Sequence, residues 1–202
     1  MSTLTTMQPT TTCQVPESID PSETLYRLTV DEYEKLADVL EDERVELIDG
    51  LLVAKMTKNP PHNVSCGLVN DALKGIIPPT WHVRAEQPAR LGNRSMPEAD
   101  AAAVRGTRRD YTDHHPSQRD VGLVVEVSDT SLAKDRRRTR VYGAGGIPIY
   151  WIINLVDRQV EVYTSPTSDG YGLMQIYKLG EDVPAVLDGI VVGHVAVADL
   201  LP

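Results

Sequence analysis

Apolar side chains recur along this chain with two periods. Val30, Tyr33, Leu36, Ala37 and Leu40 fall at helical spacing. Thr29 precedes them and Glu32 follows three residues on, so Thr29 to Leu40 predicts a short amphipathic helix with a capping box. Next, RVELIDGLLVAKM sets two apolar stretches around Asp49-Gly50, a dipeptide that accepts positive φ at both central turn positions. It predicts a hairpin with strands at 44–49 and 51–57. PPHNVSCGLVNDALKGIIPP reads as a second helix, entered after Pro61 and stopped by Pro78-Pro79, with Val64, Leu68, Val69, Ala72 and Leu73 as its buried stripe.

The pattern then shifts to strands. WHVRAEQPARL alternates, with Pro88 indicating an edge or bend, and EADAAAVRG is a short strand ending at Gly106. TRRDYTDHHPSQRD is a polar loop. DVGLVVEVS is almost continuously β-branched and apolar, the mark of a strand covered on both faces. Ser131 to Tyr142 forms a basic helix closed by the glycines of YGAGGIP. IPIYWIINL, DRQVEVYTSP and YGLMQIYKL continue as strands, and short strands with a terminal turn follow from Ala185. The order predicts one α/β (α+β) domain over residues 25–202, a central mixed sheet flanked by helices. Residues 1–24, rich in Thr, Pro and Ser and lacking Lys and Arg, read as a disordered tail.

Composition narrows the function classes. With 41% hydrophobic and 24% charged residues the chain is not wholly disordered. No apolar run reaches the roughly 18 residues of a membrane helix, so a soluble protein is expected. The 20 basic against 29 acidic residues, net −9, exclude a protein that coats nucleic acid through a generally basic surface. An acidic metal site beside a local basic patch remains compatible with that charge. Cys13 and Cys66 make neither a metal knuckle nor a disulfide framework, which fits a cytoplasmic location. Cys66, beside apolar residues on a helix, reads as core.

Three acids stand out. Glu126 interrupts the most hydrophobic strand, Asp100 opens the run AAAV, and Glu46 lies inside VELI. An unpaired carboxylate in such surroundings costs several kcal/mol. Each alone fits a strand-end carboxylate paired with an arginine. Three on neighbouring strands repel one another unless a cation sits between them, and Mg²⁺ or Mn²⁺ suits oxygen ligands. That grouping points to metal-assisted phosphoryl transfer. KDRRRTR, with Lys134, Arg136, Arg137 and Arg140, fits a phosphate-contacting patch or a solvated helix face. His62 opens the second helix near the hairpin, and Glu86 in VRAEQ is a candidate accessory acid.

VELIDG, MPEADAAAVRG, VVEVSDTSLAKDR and YGAGGIPIYWIINLVDRQVEVY, in that order, resemble the Uma-two family. Its members are described as putative endonucleases of the restriction-endonuclease-like PD-(D/E)XK superfamily. The resemblance runs from about Leu25 to the C-terminus. It implies that Asp100 and Glu126 hold a divalent ion at a scissile phosphate in DNA, with Glu46 a third acid. Ala99 stands where the family has Pro before Asp100. The superfamily lysine, two residues after the second acid, is replaced by Ser128. The family supplies it from the next helix, four residues before Tyr142, and there this chain has Arg138. Counting forward from Asp135 instead reaches Thr139, and Lys134 is the lysine at the helix start. An arginine keeps the charge but cannot act as a base. Two readings follow: an endonuclease, in which a homodimer would cut both strands, and a nuclease-fold module that binds nucleic acid or a protein without cleaving.

Overall fold

The computed structural model describes residues 24–40 and 43–202, so the expected tail lies outside the described residues except for Thr24. Helix α1 spans only Val30–Lys35. Its capping box forms as predicted, Thr29 accepting from the Glu32 N–H and Glu32 from the Thr29 N–H. The helix ends early because Val30 alone is fully buried, while Ala37 and Val39 are exposed. A stripe that does not meet a core cannot sustain a short helix. Strands β1 (Val45–Ile48) and β2 (Leu51–Ala54) pair around Asp49 and Gly50, both at positive φ.

Helix α2 runs Pro60–Ile76, with the Asn59 side chain accepting from the His62 N–H. Its buried line is Ser65, Val69 and Leu73, while Val64 is exposed, a correction of the predicted stripe. Two of the predicted strands are each broken. WHVRAEQPARL yields β3 (Trp81–Arg84) and a two-residue β4 (Gln87–Pro88), parted where Glu86 takes φ 52°. EADAAAVRG yields β5 (Glu98–Ala99) and β6 (Ala101–Arg105), parted at Asp100. Then come β7 (Val121–Ser128), α3 (Leu132–Ala144), β8 (Ile149–Asn154), β9 (Gln159–Thr167) and β10 (Gly170–Lys178). The hairpin β11 (Asp182–Leu187) and β12 (Ile190–Ala196) leads into a final 3₁₀ turn.

Six strands form the central sheet in the order β10-β9-β8-β7-β6-β3, antiparallel except for β7 against β8. That parallel pair needs a crossover, which α3 provides. Every residue of β7 and β8 is buried. On one face Leu123, Val125, Val127, Trp151 and Ile153 pack with Val69 and Leu73 of α2 and with the β11–β12 hairpin. On the other, Val124, Tyr150 and Ile152 meet Tyr142 of α3. Each fully buried large apolar side chain contributes about 1.5–3 kcal/mol, and this two-sided burial holds the ends of β6 and β7 rigidly.

Candidate active site

The site grows from the register of β6 on β7. Ala101 lies opposite Val125, so one step further sets Asp100 beside Glu126. The break before β6 frees Asp100 from the ladder, and its Oδ2 accepts the Val127 N–H at 2.7 Å. Glu46 arrives from β1, Arg138 from α3, and Lys58 and His62 from the entry of α2; all line one polar cavity of about 280 Å³. Relative exposures of 2% for Glu46, 6% for Asp100, 6% for Glu126 and 8% for Arg138 put these charges almost wholly inside the protein.

Buried charges persist only when paired. Arg138 sits between two acids, donating from Nη2 to Glu46 and from Nη1 to Glu126 at 3.2 Å. The Tyr142 hydroxyl also donates to Glu126, at 2.7 Å. Lys58 Nζ lies 2.5 Å from Asp100 Oδ1 and 3.1 Å from Glu86. His62 Nε2 is 3.3 Å from Asp100 Oδ2.

The two neighbouring acids are pushed apart in acidity. Burial lifts Glu126 to about 8, with Arg138 opposing and the Asp100 charge adding to the rise. Burial also acts upward on Asp100, but the His62 hydrogen bond and the Lys58 charge outweigh it and hold that carboxyl at about 2. For Lys58 the desolvation cost is overcome by Asp100, so its ammonium is held protonated. The cavity thus contains one acid firmly ionised and one short of positive charge. A cation between them would relieve that shortage.

A model of the Uma2 family, described as "Putative restriction endonuclease", matches residues 30–195. The chain belongs to this family. Among solved structures it is similar to "a putative nuclease" from Anabaena variabilis, with a TM-score of 0.66 and 17% sequence identity over 86% of this chain and 97% of that one. At that identity the likeness establishes the fold alone. No curated protein matches the chain.

In this Uma2 chain the cavity gathers Glu46, Asp100, Glu126, Arg138, Lys134, His62 and Glu86. The basic residues of α3 separate. Lys134 is 3.8 Å from Glu46. Arg136 donates from Nε and Nη2 to Glu161 on β9, at 3.1 and 2.5 Å, and does not line the cavity. Arg137 and Arg140 are exposed outside it. Glu86, at the positive-φ break, is more than half exposed and engages Lys58.

The positions expected to supply a lysine lie after Glu126, at Ser128, Arg138 and Lys134; the lysine in contact with Asp100 is Lys58, 42 positions upstream of it in the chain. In the sequence Lys58 stands in KNPPH, just ahead of a helix cap whose first turn carries His62, with nothing local to tie it to Asp100.

Proposed function

We propose that this Uma2 protein is a divalent-metal-dependent endonuclease that hydrolyses phosphodiester bonds in DNA. The observation that carries the reading is the convergence of three buried acids from three separate segments on one open polar cavity, with a lysine against one of them. The donor chemistry fits Mg²⁺ or Mn²⁺: Asp100 and Glu126 offer hard carboxylate oxygens, and Glu126 is short of a cation. These two acids would hold the ion, which when bound supplies charge neutralisation of the phosphate and acidification of water.

The chain's own groups divide the remaining work. Lys58 is 24% exposed at its side chain and sits on a flexible stem. Held protonated, it orients water or stabilises charge on the phosphate; it is not the proton acceptor. Arg138 keeps Glu46 and Glu126 in place, and its paired guanidinium has little freedom to reach a substrate. Lys134 at the cavity, with Arg137 and Arg140 further along α3, supplies local positive charge for the DNA backbone in a chain of net charge −9. Two copies would act on the two strands of a duplex.

The module that binds without cleaving drew its main support from the absent lysine, and Lys58 beside Asp100 weighs against it. The test is nicking of supercoiled plasmid at low salt with Mn²⁺. Wild type should nick, chelator should stop it, and both Glu126→Ala and Lys58→Ala should lose activity. An inactive wild type, or equal nicking by wild type and Glu126→Ala, would overturn the assignment.

A further inference from the structure

His62 and Cys66 stand four residues apart on α2, so both side chains lie on one face of the helix. His62 Nδ1 is 3.3 Å from Cys66 Sγ, and His62 Nε2 is 3.3 Å from Asp100 Oδ2. One donor atom from each of the three lies within 4.8 Å of the others. Asp100 is buried and the other two are half-buried. The nuclease reading makes no use of this imidazole and thiol as a pair.

Their chemistry differs from that of the acid pair. Magnesium takes oxygen donors and has no preference for sulfur, whereas a thiol, an imidazole and a carboxylate together are the ligand types of zinc. We propose that His62, Cys66 and Asp100 form a binding site for a thiophilic divalent ion, zinc by its ligand chemistry, sharing Asp100 with the oxygen-donor site. Zinc bonds of about 2.0–2.3 Å place tetrahedral ligand atoms about 3.3–3.8 Å apart. The cluster therefore closes by about 1 Å through side-chain torsions, one imidazole nitrogen serving the ion, and a water from the cavity completes four-coordination. On binding, the Cys66 S–H bond breaks, the sulfur–zinc bond forms, and the proton leaves to solvent. Lys58 contacts the other Asp100 oxygen, Oδ1, so it need not leave for zinc to reach Oδ2.

An ion there takes Asp100 from the hard-ion site, so zinc would oppose magnesium. That consequence rests on the nuclease reading; the site itself does not. Cys66 also packs against the core beside α2, and a purely packing role would leave it no metal chemistry.

The test uses the 202-residue chain with Cys13→Ser, which leaves Cys66 as its one thiol. It is titrated with Co²⁺ under reducing conditions. One equivalent should give a thiolate-to-cobalt charge-transfer band together with tetrahedral visible bands. One equivalent of Zn²⁺ should abolish both. The charge-transfer band should be missing when Cys66→Ala is added, and the tetrahedral site should be lost with His62→Ala, circular dichroism confirming that each variant is folded. Should one variant fail to fold, the other carries the same discrimination. No charge-transfer band in the parent protein, or a band that survives in a folded Cys66→Ala protein, would overturn the proposal. Neither readout involves DNA or magnesium, so failure of the zinc site is distinguishable from failure of the nuclease reading.

Discussion

Replacing Arg138 by Met removes the one cation among the described residues that contacts both Glu46 and Glu126 while keeping an unbranched side chain to fill its space. Both acids are nearly inaccessible, at 2% and 8% of their side-chain surface, so water cannot take over the role. Breaking such a buried pair costs about 3–5 kcal/mol. For a chain of this length each kcal/mol lowers the melting temperature by about 2–4 °C, so a fall of about 6–20 °C is expected. The deficit should grow with pH. At pH 6 Glu126, its carboxyl lifted to about 8, keeps its proton with or without Arg138; above about 8 the wild type ionises it beside the guanidinium, whereas the variant lacks the charge that favours ionisation and goes on losing stability. Arg138→Lys should recover part of the loss by restoring charge. Thermal melts in chelator at pH 6 and 8.5 read all of this directly. A fall under about 1 kcal/mol, or one indifferent to pH, would refute the claim that Arg138 compensates the buried acids.

The metal-free wild type should itself lose stability as pH rises. The unfolded chain releases the Glu126 proton near 4.5 and the folded protein near 8, so the stabilisation is complete below 4.5, declines between the two values, and is spent above 8. Glu126→Gln should flatten that decline in urea titrations at fixed ionic strength; an unchanged slope would place the proton elsewhere. Gly143→Ala should destabilise although alanine favours helices, because the added Cβ would meet the backbone oxygen of Gly170 at 2.0 Å. A loss of about 1–3 kcal/mol is expected in the same assay, and a gain would show that β10 yields easily to α3.

The sequence was most legible where periodicity and burial agree. The β7 segment VGLVVEVS and the β8 segment IYWIIN are buried at every position, and an unbroken apolar run says as much. It was least legible where the chain departs from alternation to aim a side chain. Glu86 at φ 52° and the break at Asp100 split two predicted strands, and no local signal distinguishes such a break from a continued ladder. Burial of an acid is also not enough to mark a site. Glu161 on β9 is fully buried, yet Arg136, Asn154 and Tyr163 satisfy it away from the cavity. Glu46, Asp100 and Glu126 differ in sharing one open space, which is a property of tertiary register. The contact between Lys58 and Asp100 arises the same way, because α2 begins over the end of β6, and no spacing rule along the chain encodes it.

On the proposed reading, Asp100 and Glu126 share a divalent cation. Its most direct test is the melting temperature of wild type and Asp100→Asn across a Mn²⁺ titration, each compared with its own chelated state. Binding confined to the native state at about a hundred times the dissociation constant adds about 2.7 kcal/mol. For this chain length that is a rise of about 5–11 °C. That rise is expected in wild type and none in Asp100→Asn. Equal rises in both proteins, or a wild type indifferent to Mn²⁺, would contradict it.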